Sequence, residues 1–449
     1  MEFLRAQAVD HITVTRARVS ADNHGNAIMS LGRDTVSPKR LTREQRICEA
    51  ALLCFSESCS DSFAAHRLNE KDWKKLLPWL DVSGLALYFL DRMTKLHQRD
   101  SLPASVVSRL ERNLEENRER TCGLIEESAR LQRGFQSAGL SYAVMKGLSL
   151  CPMSVSHLEL RHQFDLDFLI ADTDAASAKE ILAQQGYTLF AVSGRSWEFK
   201  KGQTPHVGPK DLYRNLPYRG VELHLETRTA GIPTRLDRTV AREVHGVVMP
   251  VLSPVDLFIG QAMHASKDIA SPFLRASHLL EFYRHVLAQR DNSSFWEKLR
   301  QHAREDQRAC VAIGVATYLA ASVWGSFAPQ ALTSWTVEQL SPTVRLWLDL
   351  YGRTAAIQAP PGNKRYLWLR EELAATSISS GTSRKPVLLS FNLPRKVIQA
   401  TAGETLSTRV ARYRVQIRFV VSRVRFHAIE GLRFLIESRR WNTLRSNLP

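Results

Sequence analysis

The chain has 449 residues, 44% of them hydrophobic and 24% charged, which is too long for one ordinary core and has the balance of a soluble globular protein of two or three domains. Its net charge of +16 and pI near 9.8 predict attraction to polyanions, whether nucleotides, nucleic acid or anionic lipid headgroups. The six cysteines include no CxxC pair and no Cys/His cluster of zinc-ligand spacing. That argues against a zinc module and for free thiols in a reducing cytosol. No apolar leader opens the chain, so a cytoplasmic location is expected.

Residues 1–40 lack periodicity and read as a disordered tail. A helical region is expected over 41–139. Thr42 and Gln45 form a capping box for its first helix. Two short helices follow, then a long charged one opening after Leu102–Pro103 and stopped by Gly139. The texture then changes to an α/β core over 140–250. Strands are expected at "YAVMKGLSL", "FDLDFLI", "YTLFAV", "SWEFKK" and "GVELHLETR". The helix "DTDAASAKEILAQQGY" lies among them, with an Asp or Thr cap and Gly186 as terminator. A helical domain returns over 251–356, its first helix capped by Ser253 with Pro254 in the first turn. Residues 309–332 carry no charge and read as a buried helix, with a membrane span as the minority alternative. Residues 357–402 read as an irregular linker, and 403–449 as a basic amphipathic helix.

The chemistry concentrates in "RHQFDLDFLI". Asp165 and Asp167 are two apart on a strand, so both carboxylates point to one face. Like charges side by side on a half-buried strand call for a cation. The strand "GVELHLE" offers Glu222 as a third carboxylate, with Glu226 as the alternative, and His224 between them. Three carboxylates from neighbouring strands make a site for Mg²⁺ or Mn²⁺. At "MKGLS", Gly147 lets backbone N–H groups approach phosphates, Ser149 offers a hydroxyl and Lys146 a point charge. Arg161 serves either as a phosphate ligand or as the partner of Asp165. No P-loop, GxGxxG or kinase signature occurs.

The order Lys146–Gly147, Arg161, Asp165-x-Asp167, Gly186–Tyr187, Glu222-Leu-His224 resembles the polymerase β-like nucleotidyltransferase superfamily. More narrowly, it is similar to a bacterial family of uncharacterised nucleotidyltransferases, over residues 65–335. "DWKKLLPWLDVSGLALYFLDRM" and "LSPVDLFIGQAMHASKD", with His264, extend the likeness. The serine comes one position later than usual, because Leu148 follows Gly147. The resemblance implies an α+β fold with a small mixed sheet flanked by helical regions. It also implies metal-dependent transfer of a nucleoside monophosphate from an NTP to an unassigned acceptor. Asp165, Asp167 and Glu222 would be the metal-binding and catalytic acids. Lys146, Gly147, Ser149 and Arg161 would meet the nucleotide, with His224 and His264 supporting from behind. A catalytically inactive module that binds nucleotide or nucleic acid is the alternative.

The last helix is separate from this pattern. Ten arginines and only two acids, Glu430 and Glu437, lie between Arg409 and Arg445. Apolar residues recur at helical spacing from Val410 to Ile436. Three readings stand: a helix packed on its own domain, a peripheral membrane contact, or an RNA contact.

Overall fold

The computed structural model describes residues 41–57, 63, 65–202, 211–229, 231–304, 306–376 and 405–448. The expected tail over 1–40 and the 377–402 part of the expected linker lie outside these residues.

Helix α1 (Arg43–Leu53) starts with the capping box anticipated: Thr42 Oγ1 accepts the Gln45 N–H, and the Gln45 side chain accepts the Thr42 N–H. Helices α2 (Glu70–Val82) and α3 (Ala86–Lys95) are the two short helices. Helix α4 (Ala104–Ser137) runs for 34 residues and ends before Gly139, whose φ of +68° suits glycine.

The α/β core follows as β1 (Tyr142–Met145), β2 (Asp165–Ala171), α5 (Ala175–Gln184), β3 (Thr188–Ser193), β4 (Ser196–Lys201), β5 (Arg219–Glu226), β6 (Val240–Val244) and β7 (Val247–Val251). The strands form one sheet in the order β3-β4-β5-β2-β1-β7-β6. β2 runs parallel to β5 and β1 parallel to β7, while the other neighbours are antiparallel. The fold is thus α+β, a mixed sheet flanked by helices. The β6–β7 hairpin was not anticipated. Its turn residues His245 and Gly246 have φ of +49° and +77°, the positive pair that a two-residue hairpin turn requires. The cap expected for α5 is corrected too. Asp174 makes no side-chain cap, because its Oδ2 accepts the Ser141 N–H at 2.9 Å and ties the helix start to β1.

The sheet separates two apolar clusters. Tyr142, Val144, Phe168, Ile170, Val221 and Leu223 face α4 and α5. Period-two alternation sends Ala143, Met145, Leu169 and Ala171 to the other face, into the larger helical core. Asp167 shares this second face with Leu169.

The helices that follow the sheet are α6 (Pro254–Ile269), α7 (Ala276–Ala288), α8 (Ser293–Ala303), α9 (Gln307–Trp324), α10 (Gln330–Thr333), α11 (Pro342–Trp347), α12 (Arg353–Ala356), α13 (Tyr366–Thr376) and α14 (Leu406–Ser446). The Ser253 hydroxyl caps α6 by accepting the Asp256 N–H. α9 is the uncharged segment, and it is buried. A Cβ at Gly314 would stand 2.8 Å from the Thr336 carbonyl oxygen, so α9 lies close against its neighbour there. Among the described residues no helix is long and apolar enough to cross a membrane. The irregular linker is corrected over 366–376. These residues form α13, and the apolar run Leu367-Trp368-Leu369 is buried, which Pro- and Gly-rich flanks had masked.

Candidate active site

The site begins where β1 ends. Lys146 has φ +55° and Gly147 φ +29°, two consecutive positive values that fold the chain sharply back. Glycine suits 147, because its φ is positive and a Cβ there would lie 2.4 Å from Gln163 Oε1, forcing that amide to shift. The turn lays the Lys146 side chain over the sheet. Its Nζ lies 2.8 Å from Asp167 Oδ1, 3.1 Å from His224 Nε2 and 3.7 Å from Glu222 Oε2.

Strand register assembles the acids. Asp167 is aligned with Glu222 between β2 and β5, and with Met145 on β1. His224 follows Glu222 by two and shares its face. Its Nε2 is 3.1 Å from Asp167 Oδ1 and 3.5 Å from Glu222 Oε2. Ligand atoms of Asp167, Glu222 and His224 all lie within 4.8 Å of one another. Ser196 on β4, which the sequence reading did not single out, donates its hydroxyl to Glu222. Asp165 sits at the exposed start of β2, outside that trio. Glu226 is engaged elsewhere: it accepts from Arg235 Nε at 2.6 Å and from the Leu236 N–H at 3.0 Å.

The charges bear on one another strongly. The hydrogen bond from His224, acting against burial, and then that from Ser196 hold Glu222 well below the usual carboxylate range. Burial pulls His224 down, but its hydrogen bonds to Asp167 and Glu222 outweigh this and leave it above the ordinary imidazole value. Burial likewise opposes the Lys146 charge, and Asp167 overcomes it, raising Lys146. Asp165 keeps an edge open to solvent, yet the protein packed around it and the Asp167 charge push it up to about 6.

A test of cation fit follows from His224. Its Nε2 faces both Asp167 Oδ1 and Lys146 Nζ at 3.1 Å. As a donor to Asp167 it opposes the ammonium; as an acceptor from Lys146 it opposes the carboxylate oxygen. One contact is repulsive in either state. A divalent cation among two carboxylates and a neutral imidazole removes that conflict, and the donor set suits Mg²⁺ through its oxygens and Mn²⁺ through oxygens and nitrogen.

Two side chains expected to meet the nucleotide have partners within the protein. Ser149 is fully buried and donates its hydroxyl to the Lys146 carbonyl at 2.7 Å, so it stabilises the turn rather than facing an open cleft. Arg161 is hydrogen-bonded to a different acid from the Asp165 expected. Its Nε lies 3.1 Å from Glu281 Oε1 on α7, and its Nη1 donates to Gln163 Oε1 at 2.8 Å. Both charged side chains are largely inaccessible, at 12% and 2% exposure.

His264 lies apart from the acids. With Lys146, Arg161, His278 and Glu281 it lines a cavity of about 50 Å³ between the sheet face and α6–α7. Its ring centroid is 4.4 Å from that of His278, and His278 Nδ1 is 2.6 Å from Asp268 Oδ2. Ligand atoms of His264, Asp268 and His278 also lie within 4.8 Å of one another. Burial, opposed for His264 by Asp268, keeps both imidazoles below their ordinary value and therefore neutral near pH 7. The i,i+4 spacing of His264 and Asp268 on α6 was a signal available in the sequence; His278 and Glu281, from another helix, left none.

No curated protein matches the chain. Among solved structures, an antigenic nucleotidyltransferase-like protein from Paracoccidioides brasiliensis aligns at 12% identity over 48% of this chain and 97% of that chain. Its TM-score is 0.29, a likeness too loose to carry an argument. The family described as "Uncharacterised nucleotidyltransferase" matches residues 69–325, more than half of the chain and inclusive of Lys146, Asp165, Asp167, Glu222 and His224. The chain belongs to this uncharacterised nucleotidyltransferase family.

Proposed function

We propose that the protein is a divalent-cation-dependent nucleotidyltransferase that transfers a nucleoside monophosphate from an NTP to an acceptor and releases pyrophosphate. The observation that carries this reading is the convergence of Asp167, Glu222 and His224 under the Lys146–Gly147 turn, in a chain of nucleotidyltransferase family. Asp167 and Glu222 would hold Mg²⁺ or Mn²⁺, with His224 beside them and Asp165 reaching in from the rim. The bound cation supplies Lewis-acid activation of the attacking hydroxyl and charge neutralisation on the phosphates. The side chains do the rest by position and charge. Ser196 and His224 keep Glu222 ionised and oriented. Lys146 is poised to leave Asp167 for a phosphate oxygen when cation and NTP arrive. Asp165 is the exposed carboxylate an incoming acceptor meets first.

A second reading has a specific observation behind it. The Lys146 ammonium already neutralises Asp167, and Ser149 is turned inward. The neutralised Asp167 favours a module that binds without transferring.

Mg²⁺-dependent pyrophosphate release by the full chain, assayed with each NTP and pooled acceptor extracts, separates the two. Transfer predicts release that Asp165→Asn and Asp167→Asn abolish without unfolding the protein. Full activity in both variants would exclude the assignment of these carboxylates, and NTP binding without release would favour the second reading.

A further inference from the structure

Near its C-terminal end, helix α14 is held by buried aromatic contacts. Trp441 is buried and stacks on Trp368 of α13, with centroids 5.5 Å apart and planes at 12°. Phe434 stacks on the same ring at 4.5 Å, and the Tyr351 hydroxyl donates to Glu437 at 3.2 Å. Arg445 pairs with Glu372 at 2.9 Å. Between Leu406 and Glu430, by contrast, no described residue is buried.

That stretch carries a large apolar surface facing solvent. Leu406, Val410, Tyr413, Ile417, Val421 and Val424 are exposed, from 53% at Tyr413 to 77% at Leu406. Their spacing of three and four residues sets them in one stripe about 27 Å long, at 1.5 Å rise per residue. A soluble helix normally turns such a stripe inward; here the half-buried Val415, Phe419 and Phe426 lie on the opposite side, and half-buried Val420 borders the stripe. Six arginines, Arg409, Arg412, Arg414, Arg418, Arg423 and Arg425, accompany the stripe, and no Asp or Glu occurs between Leu406 and Ile429. At about 100° per residue, Arg414, Arg418 and Arg425 flank the stripe along one side, each roughly 60–100° from its centre.

We propose that the Leu406–Ile429 part of α14 is a docking surface for an anionic phospholipid membrane, on which it lies flat. The apolar meridian enters the acyl boundary, and the flanking guanidinium groups reach up to lipid phosphates. Charge decides the occupant. A second copy of the helix would set arginine against arginine, with no acid on this stretch to answer it. A nucleic acid would meet the apolar meridian first and the arginines only at its edge. The anionic bilayer alone matches both surfaces. This inference is independent of the chemistry proposed above.

Cosedimentation of the full chain with phosphatidylcholine vesicles, with and without phosphatidylglycerol, tests it. Binding is expected only with phosphatidylglycerol and should weaken with salt. Ile417→Asp/Val421→Asp and, separately, Arg414→Gln/Arg418→Gln/Arg425→Gln should each reduce it at least about tenfold. These positions are exposed, and an unchanged circular dichroism spectrum checks folding. Absence of binding at low salt, or binding unaffected by either variant, would overturn the proposal. So would RNA binding, or dimerisation lost in Ile417→Asp/Val421→Asp, in a chain that ignores both vesicles.

Discussion

The Nζ of Lys146 stands 2.8 Å from Oδ1 of Asp167, on the same face that Glu222 and His224 share. In this arrangement the protein's own cation occupies the place where two carboxylates would otherwise repel. Replacing it makes a prediction: Lys146→Met should bind Mn²⁺ severalfold more tightly than the wild type, because no ammonium competes for Asp167. The same variant should bind NTP more weakly. Titration calorimetry with each ligand reads both effects, and unchanged Mn²⁺ affinity would mean that Lys146 does not compete for the site.

Gly147→Ala should destabilise the fold by about 1–3 kcal/mol, since the new Cβ meets Gln163 Oε1 and the backbone holds a positive φ. Gln163→Ala opens the space but leaves the φ. The double variant should therefore recover only part of the loss. Urea unfolding of the two single variants and the double variant measures this directly.

Arg161→Met should act on stability first. It leaves Glu281, fully enclosed and hydrogen-bonded by the Tyr88 hydroxyl at 2.9 Å, without its cation. Removing one partner of such a pair costs about 3–5 kcal/mol. A large drop in unfolding free energy is the expected result. A variant of normal stability with a selectively raised KM for NTP would instead return Arg161 to phosphate binding.

Acid should weaken the fold through buried neutral histidines. Burial, and then the charge of Arg242, lower His285 to about 3. An unfolded histidine titrates near 6.5, so below that pH the unfolded chain takes up a proton that the folded one refuses. The His285 contribution is complete above pH 6.5 and declines as pH falls from there toward 3, by about 1.4 kcal/mol per unit. His285→Phe should flatten the fall between pH 6 and 4 by that amount. Gln261 Oε1 would keep the Ser154 hydroxyl as a donor at 3.1 Å. Denaturant unfolding at several pH values supplies the slopes.

How much of this was readable in advance depended on the range of the interactions. The capping box at Thr42, the stop at Gly139 and the Asp165-x-Asp167 alternation are local, and periodicity exposed them. The β6–β7 hairpin was hidden because Arg242 and Glu243 interrupt the apolar signal, and its His245–Gly246 turn lacks the commoner asparagine or aspartate. The site's supports were hidden for another reason. Ser196, Glu281 and His278 join the site only through register and helix packing, which no spacing in the chain reports. Arg161 illustrates the point: its position in the motif suggested phosphate, and its partner proved to be 120 residues away.

The most direct test of the account is Mn²⁺ binding followed by electron paramagnetic resonance on the full chain, with and without a non-hydrolysable NTP. It requires no knowledge of the acceptor. Bound Mn²⁺ that is lost in Asp167→Asn/Glu222→Gln, with the variant still folded, is the predicted result. Mn²⁺ binding of equal stoichiometry and affinity in that double variant would contradict the assignment of these two carboxylates as the metal site.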